Sequence, residues 1–246
     1  RLKPPILRDK AHAAPSVFQP ENLLREARRQ KGVDDGAVPA ICVLDPDGDI
    51  VRHLAQTGRA RRSEAWACYH SELYEFDREG APGGRIGIVG CAVGAPYAVL
   101  VAEQMFACGA ELLLSITSSG QLAAAGPTPY FVLVERALRD EGTSYHYLPP
   151  ADYACAEAAL IDAVFPVLCA AGPRVVRGAT WTTDAPFRET EAVLARGAEL
   201  GLLAIEMECA ALYAFAEARR RPVVCLAHVT NAMAVREGDF EKGEAD

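Results

Sequence analysis

The 246-residue chain has no C-x-x-C pair, no clustered block of Lys and Arg, and no apolar run long enough to span a membrane. Each absence removes a class of function. Without paired cysteines, a zinc or dithiol redox site has no ligand framework. Without a basic patch, a nucleic-acid partner has nothing to grip phosphates with, and the formal charge of −8 would repel them. No signal peptide is visible, and the chain opens at Arg1 rather than at a methionine. The G-x-G-x-x-G spacing of dinucleotide-binding folds is missing too. Gly90 and Gly94 stand four apart, which disfavours an oxidoreductase built on a Rossmann sheet. Calcium is equally unsupported. Asp45-Pro46-Asp47-Gly48-Asp49 imitates the start of a calcium loop, but Ile50 stands where the loop glycine belongs and Gln56 where the bidentate Glu belongs.

Half of the residues are apolar, which suits one globular domain with a large core. The eight cysteines (Cys42, Cys68, Cys91, Cys108, Cys155, Cys169, Cys209 and Cys225) sit mostly among Ala, Val and Leu. They read as free thiols in a reducing, cytoplasmic setting. Residues 1–20 hold four prolines and read as an extended N-terminal arm. Helices are expected over Glu21–Lys31, Tyr97–Cys108, Phe131–Asp140, Glu157–Ala170, Glu189–Glu199 and Glu208–Arg219. Strands are expected over Val38–Leu44, Arg85–Gly90, Glu111–Ile116, Arg174–Thr180, Leu202–Ile205 and Pro222–Val229. Thr117-Ser118-Ser119-Gly120 reads as a small-residue loop. Strands alternate with helices and are uniformly apolar, as in a sheet covered on both faces.

Glu206-Met207-Glu208 lies inside a run otherwise apolar enough to be core. A buried carboxylate without partners costs several kcal/mol or more. These acids must therefore meet backbone amides, basic groups or the hydroxyls of a ligand. A helix N-terminus is one such environment; a sugar is another.

Four segments together resemble the nucleoside phosphorylase and nucleosidase superfamily, in particular its uridine-phosphorylase-like branch. They are Gly90-Cys91-Ala92-Val93-Gly94-Ala95-Pro96 with Glu103, Thr117-Ser118-Ser119-Gly120, Arg139 to Tyr147, and Glu206-Met207-Glu208 with Ala210-Ala211-Leu212-Tyr213. The resemblance implies a single α/β domain over residues 1–246, a three-layer α/β/α sandwich with a mixed central sheet. It implies cleavage of the bond between a ribose and a base, a small-molecule nucleoside as the binding partner, and a homo-oligomer, dimer or hexamer. It implies neither a cofactor nor a metal, with phosphate as a candidate co-substrate.

Carried over residue by residue, Glu208 binds the ribose hydroxyls, Met207 lines the sugar pocket and Glu206 supports them. Phe187 or Trp181 would stack on the base. Asp184 matches an acid found in many members, although it is equally placed to cap the following helix. Purine-specific relatives place Ser-Asp where this chain has Thr230-Asn231. An amide cannot act as a general acid, but Asn231 can offer a donor and an acceptor to an oxo-type base. The catalytic candidates are thus Glu208, Asp184 and Asn231. His70 and His146 stay outside the catalytic set.

Thr117, Ser118 and Gly120 retain the loop that takes phosphate or water. The three arginines that commonly accompany it are absent, with Ile50, Ser71 and Ser115 at the aligned positions. The Asp45–Asp49 turn carries three acids, which would repel phosphate. Arg52, Arg59, Arg61 and Arg62 lie close enough in sequence to compensate. Two outcomes are open. Phosphorolysis fits the family, and hydrolysis, with Glu206, Glu208 or Asp184 as general base, fits the missing arginines. A non-catalytic nucleoside-binding protein that kept the ribose pocket is the alternative from another class.

Overall fold

The computed structural model describes residues 4–231. The polar stretch from Glu237 to Asp246 and the first three residues of the arm lie outside the described residues.

The described residues form ten strands and seven α-helices. The strands are β1 (Ile41–Asp45), β2 (Ala60–Arg62), β3 (Leu73–Asp77), β4 (Arg85–Gly90), β5 (Leu112–Gln121), β6 (Tyr130–Asp140), β7 (Tyr153–Cys155), β8 (Val175–Thr183), β9 (Leu202–Glu206) and β10 (Val223–Asn231). The helices are α1 (Pro20–Lys31), α2 (Asp49–Gln56), α3 (Ala95–Ala107), α4 (Ser144–Tyr147), α5 (Ala158–Ala170), α6 (Glu191–Glu199) and α7 (Cys209–Arg219). They form a three-layer α/β/α sandwich around one mixed sheet, ordered β10-β6-β8-β9-β5-β1-β4-β3-β2, with β7 on β6.

The sheet is more than a flat layer. β5 pairs with β1, β9 and β10, so β10, β6, β8, β9 and β5 close a ring. β5 can serve three partners because it is long. Its first residues pair with β1, while Gly120 and Gln121 pair with Ile205 and Ala204 of β9.

Two apolar layers sandwich the sheet. Leu112, Leu114 and Ile116 of β5 face α5 and α2, with Ile161, Val224, Leu226 and Leu54. The opposite face meets α1, α3 and α7. Helix α7 approaches the sheet closely because most of its buried side chains are small: Cys209, Ala210, Ala211 and Ala214 are sealed from solvent. Helix α3 starts just after Gly94, whose φ of 89° favours glycine, and Pro96 occupies its first turn without forfeiting a needed amide. No helix among the described residues is long and apolar enough to cross a membrane.

Two expectations are corrected. Phe131–Asp140 is not a helix but most of strand β6. The segment is dense in Phe, Val and Leu, and three neighbours (β7, β8 and β10) satisfy its backbone. Pairing outweighs the helical look of its Glu-Arg-Ala-Leu-Arg tail. Thr117–Gly120 is not a loop, because β10 carries the pairing of β5 through it, from Ala227 opposite Thr117 to Asn231 opposite Gly120, with a register shift at Thr230. Helix α2 and the short strands β2, β3 and β7 were not foreseen. The arm contains a 3-10 turn at Pro5–Leu7 and reaches the body through His12 and Lys10, which contact Tyr145 O and His146 Nδ1.

Gly90 ends β4 where the β1–α2 turn crosses it. A Cβ added there would lie 2.3 Å from Val51 Cγ1 and 3.2 Å from Gly48 Cα. Gly90→Ala is therefore expected to destabilise the fold by about 1–3 kcal/mol through overpacking, as read from urea denaturation midpoints.

Candidate active site

The carboxyl-terminal ends of β1, β4, β5, β9 and β10 converge. They bring together the Asp45–Gly48 turn, the Cys91–Gly94 turn, Thr117–Gly120, Glu206–Glu208 and His228–Asn231. Ligands favour this end of an open α/β sheet.

Glu206 is a fully engaged buried carboxylate. Its Oε1 accepts hydrogen bonds from Thr180 Oγ1 (2.9 Å) and Thr182 Oγ1 (2.6 Å), and its Oε2 accepts the amides of Glu208 and Cys209, both at 2.7 Å. Those two amides open α7, so the carboxylate caps the helix from just before it. Thr182 Oγ1 also accepts the Ala210 amide at 2.9 Å. Burial pushes the Glu206 carboxyl upward, and its four donors pull it back.

Glu208, the ribose-binding candidate, is 1% exposed. Its Oε1 accepts the Gly94 amide at 2.7 Å and its Oε2 the Thr117 hydroxyl at 2.8 Å. Burial, then the neighbouring Glu206 charge, pushes its carboxyl up to about 7. At neutral pH this acid stands midway between its two protonation states, ready to accept from sugar hydroxyls when ionised.

On the opposite face of β5 a different carboxylate holds Ser118. Asp47 Oδ2 accepts the Ser118 amide at 2.8 Å and Asp47 Oδ1 accepts its hydroxyl at 2.7 Å. The donors expected to hold phosphate or water thus carry a negatively charged side chain of the chain's own turn. Gly48, with φ 79°, gives the turn its sharp exit into α2. Asp47 was visible in the sequence only as one of three repelling acids; which loop it would reach required the β1–β5 pairing.

The other candidates separate. Met207 is half-buried between the two acids. Asn231 is buried at the end of β10, opposite Gly120, with its Nδ2 donating to Thr230 Oγ1. Trp181 is core: it is 3% exposed, packs with Ala179, Leu202 and Ile205, and donates Nε1 to Asp140 Oδ2 at 3.1 Å. Strand alternation explains this, because Thr180 and Thr182 take the face toward Glu206 and Trp181 must take the other. Phe187 is 100% exposed in a 3-10 turn, so it stacks on nothing among the described residues. Asp184 does not cap α6; its Oδ2 accepts the Gly142 amide at 2.8 Å, tying two loops.

The arginine question has a structural answer at each position. Ile50 lies in the first turn of α2, Ser71 accepts a hydrogen bond from Trp66 Nε1, and Ser115 is sealed between Leu44 and Cys225 with an unpartnered hydroxyl. Arg52, Arg61 and Arg62 pair with Asp49, Glu75 and Glu72 near the surface, and Arg59 is exposed. Among the described residues no cluster of His, Cys, Asp and Glu is arranged to hold a metal ion.

Two measurements test the acid pair. Glu206→Gln leaves several buried donors facing one acceptor oxygen, and a loss of about 2–4 kcal/mol is expected in chemical denaturation. For Glu208 the folded state binds its proton more tightly than the unfolded chain. Its contribution is therefore fully present below pH 4.5 and is lost as pH rises through about 7. Glu208→Gln should flatten that stability slope, worth on the order of 3 kcal/mol; an unchanged slope would show that Glu208 titrates normally.

Comparison with known proteins agrees with this architecture. Uridine phosphorylase from Vibrio fischeri ES114 superposes with a TM-score of 0.68 at 22% identity, over 80% of this chain and 81% of that one. The same enzyme complexed with 6-hydroxy-1-naphthoic acid gives 0.71 at 19% identity, over 85% and 87%. A search of curated protein sequences gives no match. Residues 40–245 match the phosphorylase superfamily as a sequence family, a span that takes in every strand and both acids of the Glu206–Glu208 segment, and the chain belongs to that superfamily.

Proposed function

We propose that the protein cleaves the N-glycosidic bond of a nucleoside and uses water, not phosphate, as the acceptor. The observation that carries this reading is the Asp47 carboxylate seated on the Ser118 amide and hydroxyl. Phosphate would have to displace a like charge there, and the three positions that commonly supply arginines hold Ile50, Ser71 and Ser115. A water molecule has the opposite relation to Asp47, which can accept its proton.

In this scheme Glu208 accepts from the ribose hydroxyls and stabilises the positive charge that develops on the sugar ring. Water attacks C1′ as the bond to the base nitrogen breaks, and the electron pair leaves with the base. Asp47 takes the proton from the water and later returns it to solvent. The base acquires a proton from solvent, with its edge held by the Asn231 amide. The sum is nucleoside plus water to ribose plus base. The homo-oligomer that the family resemblance implies would give the exposed Phe187 a neighbouring copy to pack against.

Phosphorolysis is the second reading, supported by the two uridine phosphorylase neighbours. Chromatographic detection of base released from uridine, thymidine, inosine, guanosine and adenosine, with and without phosphate, separates the two. Release in phosphate-free buffer is expected, falling about 100-fold or more in Asp47→Asn. Strict dependence on phosphate would refute the hydrolytic reading. Calorimetric binding with no release in either buffer would mean a nucleoside-binding protein.

A further inference from the structure

On the side of the sheet where Ser118 holds Asp47 stands an ionisable group that the reaction scheme does not use. His228 of β10 pairs in register with Ser118 of the parallel strand β5 and with Phe131 of the antiparallel strand β6. Register partners share a face of the sheet, and adjacent strands lie about 4.8 Å apart. The imidazole therefore projects on the Ser118 side, where Ser118 holds Asp47 at 2.7–2.8 Å. It is not free to swing away. The Phe131 ring stacks on it, with centroids 4.4 Å apart and planes 12° from parallel. One aromatic wall and one charged neighbour thus fix a half-buried histidine beside the acceptor pocket, on the face of the sheet opposite Glu208.

We propose that His228 is a positioning residue for Asp47, holding the carboxylate toward the acceptor position while neutral and drawing it into an ion pair once protonated. The inference rests on the hydrolytic reading of the same pocket.

The surroundings favour the neutral form as the resting one. Burial lowers the His228 imidazole below its ordinary range, and the Asp47 charge opposes that. Other charged groups on the covering elements are engaged elsewhere. Asp162 of α5 pairs with Arg177, and Asp49 and Arg52 of α2 pair with each other, while His53 lies in the last turn of α2. From β5 the histidine meets Ser118, and from β6 it meets Phe131. Asp47 is thus the acid among the described residues that acts on it.

Two experiments on the full chain test this, one of which needs no activity. The first follows the imidazole resonances by NMR across pH in the wild type and in Asp47→Asn. The His228 midpoint should drop by about half a pH unit or more when the charge is removed. An unmoved midpoint overturns the proposal, whether or not the protein hydrolyses anything.

The second measures phosphate-free base release against pH. His228→Asn should lower kcat about tenfold with KM changed less than about twofold, because it acts through Asp47 and not on the Glu208 contacts. Its acid limb should fall with one proton, from Glu208, where the wild type falls with two. His228→Gln repeats the measurement if the Asn variant does not fold. A rise in KM at constant kcat, or an unchanged limb, would assign His228 to substrate binding or to packing alone. If no nucleoside is hydrolysed, the hydrolytic reading fails and the NMR titration alone decides the coupling.

Discussion

The structure depends on a single buried carboxylate. Glu206 sits where β9 stops and α7 starts, and it gathers two hydroxyls from β8 and two amides from the helix. Without it, α7 would begin with orphan donors in a region sealed from water. Because α7 opens with Cys209, Ala210 and Ala211, its first turn has little side-chain bulk to absorb a shift. The position of Glu208, its N-cap residue, is set by the same contact. Two acids two residues apart thus divide the work: the first is spent on architecture, which leaves the second poised between its two protonation states.

That division extends across the sheet. Odd residues at the end of β5 face α3 and α7, and Thr117 there meets Glu208; even residues face α2 and α5, and Ser118 there meets Asp47. Strand alternation alone separates the Glu208 and Asp47 carboxylates, with one peptide bond between their anchors. The closure of the ring at β5 holds that end of the strand from both sides, through β9 and β10.

Much of this was legible beforehand. Uniformly apolar strands announced a doubly covered sheet, and the cost of burying Glu206 and Glu208 announced that both would find partners. What could not be read was long-range. β6 looked helical because its last residues carry charges at helical spacing, and only its three neighbours make it a strand. Trp181 looked like a base-stacking ring because residue type says nothing about which face of β8 it takes. Asp47 was recognised as hostile to phosphate from composition, but its hold on Ser118 spans 71 residues of chain and emerges only once β1 lies beside β5. Asp184 resembled a catalytic acid and instead ties Gly142 in place.

Ser115 shows how differently two neighbouring positions resist substitution. Its hydroxyl is enclosed between Leu44 and Cys225 and has no partner. A guanidinium introduced there would enter a filled space, whereas one introduced in the Asp45–Asp49 turn would meet the Asp47 carboxylate first. The obstacle is volume in the strand and charge in the turn, so a change that relieves one leaves the other untouched.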